Sequence, residues 1–453
     1  MISLYDTATQ EVVPLQLRDP GKVSIYVCGP TVYAPPHIGH GRQMLVYDIL
    51  RRYLEWRGLA VHFVSNVTDI DDNIIKRANE EGRDWHDIVT RCEAVWWSAV
   101  DRLGVRRPDD VPHATAYVEE MVALIETLVE RGRAYLTSDG VYLSVTDIDG
   151  YGLLAHQSLD SLQEGGGERD LVGTEKRHPA DFVLWKLSKA GEPAWPSPWG
   201  EGRPGWHTEC VVMSLDLLGE GFDLHTGGLD LTFPHHENER AQAIAWGRPF
   251  ANHWMHHGFV ELEGEKMSKS LGNVKNLLDL TEAYDPRAFR LLILRSHYRS
   301  PIEVTDTTMA DAETALDRLD TFARRTAPLG GGDPDREVLD AFAKVMDADL
   351  DTPGAVDLVF RQVREGNSAL DTGDEAGGAV AAATVRVLAA ALGLELHEVA
   401  SDVPADIQAM VDERQAARTA KDWARADALR DQLTAAGWMV EDAADGPVAR
   451  PLG

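Results

Sequence analysis

Strand, helix and strand follow one another in the first part of this chain. The run Val23-Ser24-Ile25-Tyr26-Val27 reads as a buried strand, a loop with Gly29, Pro30, Pro35 and Pro36 follows, and Leu45, Val46, Ile49, Leu50, Tyr53 and Leu54 recur at helical spacing before a second apolar run over Ala60–Val67. A βαβ unit commits the chain to a parallel sheet, since strands joined through a helix lie side by side in the same direction. Ligands of such sheets collect at the carboxyl ends of the strands. Here that end runs into His37-Ile38-Gly39-His40. At a strand-to-helix turn the unpaired N–H groups and the positive helix end favour an anion, and Gly39 has no Cβ to hold a nucleotide away. The spacing therefore predicts a helix over 40–57 with a phosphate or adenine seat at its start.

A second signature, Lys266-Met267-Ser268-Lys269-Ser270, follows the strand-like Gly258–Leu262 and lies between Gly264 and Gly272. Two lysines on a loop flanked by glycines suit a polyanion whose charge is held transiently. A lysine loop by itself is most often a solvated surface. Together with the histidine turn, it suits one triphosphate bound at the carboxyl edge of the sheet. In carrying both signatures the chain resembles the class I aminoacyl-tRNA synthetases.

The chain has 453 residues, more than one ordinary core holds, which predicts three or more domains. A net charge of −30 opposes long-range attraction to nucleic acid. Screening confines that repulsion to roughly 8 Å at physiological salt, so a local face can still dock RNA, and the acidity reads as a solubility feature. Three cysteines make no disulfide framework and fit a reducing cytoplasm. The start, Met1–Thr7, lacks the basic residues and apolar run of a leader. No uncharged apolar run reaches the ~18 residues of a membrane span. The expectation is a cytoplasmic protein without a membrane partner.

Beyond Tyr117 the pattern changes. Helical spacing at Val118, Met121, Val122, Ile125, Leu128 and Val129 leads to a β-like Gly140–Val145 and a polar stretch, 163–177, whose Gly165-Gly166-Gly167 predicts a flexible loop. This reads as an insertion between two halves of a nucleotide-binding fold that resumes near Pro204. After the lysine loop the periodicity is helical over 309–325, 336–347, 352–370 and 379–392, as in a bundle. The last segment, from Val403, predicts another helix pair with interleaved charge.

Soft and imidazole groups lie near the same strand ends. Cys28 ends the first strand, Cys210 lies where the second half resumes, and Pro234 predicts a helix start that puts His235 and Glu239 one turn apart on one face. Such a set suits zinc at a site that can add a substrate ligand. A cysteine on a buried strand is also commonly a small hydrophobe, and the spacing matches no compact zinc finger.

These metal-type residues narrow the resemblance to the cysteinyl-tRNA synthetases, whose zinc is held at positions matching Cys28, Cys210, His235 and Glu239. The resemblance covers nearly the whole chain. It implies an α/β fold: a Rossmann-like catalytic domain in two halves (1–118 and 204–265) around a connective insertion (119–203), a lysine-loop and stem-contact region (266–308), a helical bundle (309–400) and a small anticodon-binding domain (401–453). It further implies ATP, with Mg²⁺, seated against His37, Gly39 and His40, and Lys266 and Lys269 stabilising the departing pyrophosphate. L-cysteine would lie among Thr31, Thr68, Trp206, His225 and Asp230, and the cysteinyl group would pass to tRNA(Cys) on a monomeric enzyme. Cys92 has no match and is expected to be packing. Two departures stand out: Ala34 replaces the family's Asp, and Thr226 stands where Gly is common, which is expected to crowd the pocket. The alternatives are a ligase joining cysteine to an amino-sugar inositol in mycothiol synthesis, and a non-catalytic RNA-binding paralogue. The tail motif Lys421-Asp422-Trp423-Ala424-Arg425-Ala426-Asp427, which resembles the synthetase tail, speaks against the former.

Overall fold

A computed structural model describes residues 1–159, 161, 175–262, 265–266, 275–398, 404–443 and 446–451. A hairpin, β1 (Ser3–Asp6) and β2 (Glu11–Pro14), precedes β3 (Lys22–Val27), α1 (Ile38–Trp56) and β4 (Ala60–Ser65). The predicted βαβ unit is present, and β3 and β4 are parallel. Helix α1 begins two residues earlier than its spacing suggests, because His37 and His40 cap it. The His37 ring accepts from the His40 N–H, and the His40 ring accepts from the His37 N–H.

Helices α2 (Asp72–Glu81) and α3 (Trp85–Arg102) follow, then α4 (Val118–Glu130) and an antiparallel sheet of β5 (Ala134–Leu136), β6 (Gly140–Leu143), β7 (Phe182–Leu187) and β8 (Gly202–Pro204). Cys92 is buried in α3 among Ile74, Ile88 and Val89. The parallel sheet resumes after α5 (Trp206–Leu218) with β9 (Leu224–Gly228), α6 (Glu237–Trp246) and β10 (His253–His257). Its strand order is β10-β9-β3-β4. The chain leaves β3 on one side and returns on the other, so the switch point falls between β3 and β9, where such sheets bind ligands.

Side-chain alternation decides what each face receives. Val23, Ile25 and Val27 enter the core that contains α1, while Tyr26 and Cys28 enter the opposite core with Cys210 and Val211 of α5. The register carries this parity across the sheet: Tyr26 pairs with His225, and Val27 with Thr226. Thr226 thus turns away from the Cys28 face, its hydroxyl donating to the Tyr26 carbonyl at 3.2 Å, and it is absent from the cavity wall described below. The expected crowding of the pocket is not found, because adjacent strand residues face opposite ways.

Strand β11 (Val260–Leu262) pairs antiparallel with β12 (Glu265–Lys266) and parallel with β13 (Ile302–Glu303), on either side of α7 (Leu277–Ala283) and α8 (Pro286–Leu294). Lys269 and Gly165–Gly167 lie outside the described residues, and of Lys266 only the backbone is described. The helical region comprises α9 (Asp306–Thr326), α10 (Arg336–Met346), α11 (Thr352–Asp371) and α12 (Glu375–Ala391). The tail has the expected helix pair, α13 (Ala405–Thr419) and α14 (Trp423–Ala435). It adds an antiparallel hairpin of β14 (Trp438–Ala443) and β15 (Gly446–Pro451) that helical periodicity could not signal.

Candidate active site

Cys28 sits at the carboxyl end of β3, where the backbone turns sharply against the β4 side of the sheet. Gly29 N–H donates to Asn66 Oδ1 at 2.9 Å, and a Cβ at Gly29 would fall 1.6 Å from the Asn66 carbonyl oxygen. Only glycine fits there. Cys210 reaches the same point from the first turns of α5. Pro234 does not open a regular helix as expected: residues Thr232–His236 form a wider π-type turn, and α6 begins at Glu237. The one-turn relation survives, with His235 Nε2 2.9 Å from Glu239 Oε1.

Cys28, Cys210, His235 and Glu239 are all buried, and their donor atoms lie within 4.8 Å of one another. The sulfurs are 3.7 Å apart, Cys210 Sγ is 3.6 Å from His235 Nε2, and Cys28 Sγ is 3.5 Å from Glu239 Oε1. Zinc bonds of about 2.3 Å to sulfur and about 2.05 Å to nitrogen would give tetrahedral edges of about 3.8 Å (S to S) and about 3.6 Å (S to N). The donor set fits that ion. A second grouping, Cys28, His225, His236 and Glu239, shares two of these residues.

Electrostatics accompany the geometry. Burial pushes the Cys210 thiol up, but hydrogen bonds with Cys28 and His235 outweigh it and bring the thiol to about 6. Burial lowers His235, yet Glu239 and Cys210 raise it to about 10. Glu239, raised by burial, is brought to about 2 by His225 and His235. Burial, then the neighbouring Cys210, holds Cys28 well above the usual thiol range.

Imidazoles missed in the sequence reading surround this set. His207 Nδ1 lies 2.8 Å from His235 Nδ1, leaving His235 Nε2 for Cys210 and Glu239. His236 Nε2 is 3.2 Å from Cys28 Sγ, and its Nδ1 is 2.7 Å from His256, which in turn meets Thr7 at 2.7 Å. The doublets His235-His236 and His256-His257 were the available signal.

A cavity of about 410 Å³, within the range of small-ligand sites, opens beside Cys28. His37, Gly39 and His40 line it, and Thr31, Trp206 and Asp230 also contribute to the wall. The two histidine rings stack at 3.7 Å. Trp206, 37 % exposed, lies flat on His235 at 3.9 Å, so one indole covers the imidazole and also walls the cavity. Ala34 is on the wall too. Thr68 and His225 stand behind it. Thr68 Oγ1 donates to Glu209 Oε2 at 2.8 Å, and His225 Nε2 lies 2.6 Å from Glu239 Oε2. Glu209 was not singled out from sequence; burial, then Cys210, holds its carboxyl well above the usual range.

Residues 14–314 match the tRNA synthetases class I (C) catalytic domain, 341–397 the DALR domain and 400–447 the cysteinyl-tRNA ligase anticodon binding domain. The chain is 44% identical to cysteine–tRNA ligase of Streptomyces avermitilis, with 98% of each chain covered. It is 42% identical to that of Pectobacterium carotovorum, over 99% of this chain and 100% of the relative. Among solved structures it resembles Mycobacterium tuberculosis methionyl-tRNA synthetase in complex with methionyl-adenylate, with a TM-score of 0.60, 15% identity and coverage of 82% and 89% of the two chains. A putative arginyl-tRNA synthetase from Campylobacter jejuni gives a TM-score of 0.57 at 12% identity, covering 83% and 94%. At these identities the structural likeness establishes the fold.

Proposed function

The chain belongs to the cysteinyl-tRNA synthetase family, and from that membership we propose that Cys28, Cys210, His235 and Glu239 hold one zinc ion beside an ATP seat at His37, Gly39 and His40. The enzyme is an aminoacyl-tRNA ligase: cysteine and ATP give cysteinyl-adenylate, and the cysteinyl group passes to the 3′ end of tRNA(Cys). The observation that carries the metal reading is the convergence of four buried donors within 4.8 Å of one another, with S-to-S and S-to-N separations that suit zinc, at a cavity wall that includes Cys28. The alternative grouping has one sulfur, and its His225 is already engaged by the second oxygen of Glu239. Two thiolates make the first set the better zinc site.

When bound, zinc supplies a thiophilic Lewis acid that favours a substrate thiolate over the hydroxyl of serine, a discrimination that shape alone limits to ~10²-fold. The remaining roles fall to the chain. Trp206 keeps His235 covered, and Thr31 borders the amino-acid end. Asp230 is suited to accept from the α-ammonium. Thr68 and His225 act from behind the wall by holding Glu209 and Glu239. As the cysteine carboxylate attacks the α-phosphate of Mg²⁺-bound ATP, Lys266 and Lys269 stabilise the charge on the leaving pyrophosphate, and the α1 terminus with its two histidines orients the phosphates. No covalent enzyme nucleophile is required, so rate enhancement rests on orientation and charge stabilisation.

The anticodon-binding match at 400–447 disfavours the amino-sugar ligase, and the catalytic match disfavours a non-catalytic paralogue. Among the described residues no helix is long and apolar enough to cross a membrane. We read the enzyme as a monomer of the cytoplasm, in keeping with a chain whose three cysteines make no disulfide framework. The test is purified enzyme assayed for metal content and for amino-acid-dependent pyrophosphate exchange. One zinc per chain and exchange with cysteine but not serine are expected. An active, cysteine-selective enzyme without stoichiometric metal would remove the zinc reading.

A further inference from the structure

We propose that Arg42 is a positioning residue for adenylate formation: its buried guanidinium gathers backbone carbonyls from two segments and so sets the spacing between the histidine turn and the strand entering the lysine loop. The proposal rests on the reading of the ATP seat given above. Arg42 lies two residues beyond His40 on α1 and is 1% exposed. Its Nη1 donates to the Phe259 carbonyl at 2.7 Å, and its Nη2 to those of Tyr298 at 2.9 Å and Ser300 at 2.5 Å. Among the described residues every hydrogen-bond acceptor of this guanidinium is a backbone carbonyl.

That is an unusual setting for a buried cation, which ordinarily faces a carboxylate. Burial lowers the guanidinium to about 10, so it remains charged at neutral pH. The carbonyls are crowded. Gly258 N–H donates to the Tyr298 carbonyl at 2.8 Å, and a Cβ on Gly258 would come within 2.5 Å of the Arg299 carbonyl oxygen and 2.7 Å of that of Ser300. Dipoles converging so closely repel one another unless a cation sits among them. Arg42 supplies that cation from the helix that opens at His37. Gly258 and Phe259 both line the cavity, and Phe259 precedes β11, whose hairpin with β12 ends at Lys266. The guanidinium therefore ties the helix of one signature to the strand of the other. Lysine, with one nitrogen, cannot span the same acceptors.

The test compares wild type with Arg42→Lys in cysteine-dependent pyrophosphate exchange, with turnover expressed per cysteine-binding site counted by calorimetry on the metal-replete enzyme. Turnover is expected to fall by about 10²-fold, the cost of a misplacement of roughly 1 Å, while cysteine affinity stays within about 2-fold of wild type. Unchanged turnover per site overturns the proposal. So does a parallel loss of turnover and cysteine affinity, which would make Arg42 a support of the fold alone. Should Arg42→Lys not fold, Gly258→Ala, whose Cβ would press on the Ser300 carbonyl that Arg42 holds, must give the same split. Wild-type enzyme without exchange would remove the reading of the site itself; wild-type exchange beside an Arg42→Lys protein of undiminished turnover removes only the role of Arg42.

Discussion

Two buried polar clusters occupy opposite faces of the parallel sheet, and they are built from different chemistry. Behind α1, Asp48 meets Arg290 at 2.6 Å and Arg52 at 2.7 Å, and Arg290 also donates to the carbonyls of Leu103 and Gly104. Charges there are fixed, one carboxylate facing two guanidiniums. On the Cys28 face the groups are thiols, imidazoles and carboxyls whose protonation is set by one another, and their donor atoms converge on a common point. Both clusters leave buried polar atoms without a hydrogen-bond partner, Arg106 Nε and Nη2 beside Asp48 and Glu209 Oε1 and His225 Nδ1 beside Cys28, so it is the convergence that separates them. A cluster of opposed fixed charges braces the helices that carry it, whereas one whose donor atoms converge on a common point is a candidate site.

Mutation can break this contrast. The largest effect is expected from Asp48→Asn, which strands Arg290 in the core and should cost about 3–5 kcal/mol of unfolding free energy. Zinc content and exchange per folded molecule should not change; a loss of metal in this variant would show that the two clusters are not independent. Cys210→Ser comes next. Loss of a metal ligand should exceed the upper end of what an outer-shell partner costs, so cysteine activation should fall more than about 100-fold and metal content with it. Retained stoichiometric zinc by elemental analysis would contradict that. Thr68→Val removes the hydroxyl that accepts from Asn66 Nδ2 at 3.4 Å, the amide whose Oδ1 lies 3.8 Å from Cys210 Sγ; one step beyond an outer-shell partner, it should reduce zinc affinity by no more than about 10-fold. Competition with a chelator reads this directly, and an affinity equal to wild type would place Thr68 outside the metal's support.

The smallest effect is one of pH. The Asp48 carboxyl is raised by burial, but Arg290 and Arg52 lower it below its ordinary value overall. Its contribution to stability is therefore complete above the unfolded-state pKa of about 3.9 and is lost as pH falls through the lower folded value. The stability gap between wild type and Asp48→Asn should be constant near neutrality and shrink below about pH 4. Urea titrations across that range test it, and a gap that widens in acid would reverse the assignment.

The sequence made some of this visible and concealed the rest for physical reasons. Strand β3, helix α1 and the His235–Glu239 turn were legible because each is local: apolar period, a cap, and an i, i+4 pair. What failed was longer in range. The orientation of Thr226 depends on its register with Val27, so the pocket crowding expected from its side chain was misplaced. His207, His236 and His256 reach the cluster from separate elements, and the doublets His235-His236 and His256-His257 mark imidazole chemistry without saying which ring meets which partner. The hairpin Trp438–Ala443 with Gly446–Pro451 lacks a clear alternation and pairs strands rich in acidic and small residues.

The alternation along β3 also constrains how this enzyme can evolve. Inserting or deleting one residue between Lys22 and Cys28 would exchange the faces of every side chain beyond the change, sending Cys28 toward α1 and Val27 toward α5. Returning a sulfur to that face would then take a second change, either in length or to a cysteine at the position that has come to face α5. Length changes in that strand are tolerable only in pairs, while its apolar residues can be exchanged for others of similar volume. Among homologues, β3 should vary freely in composition and hardly at all in length, so that parity itself is the inherited trait.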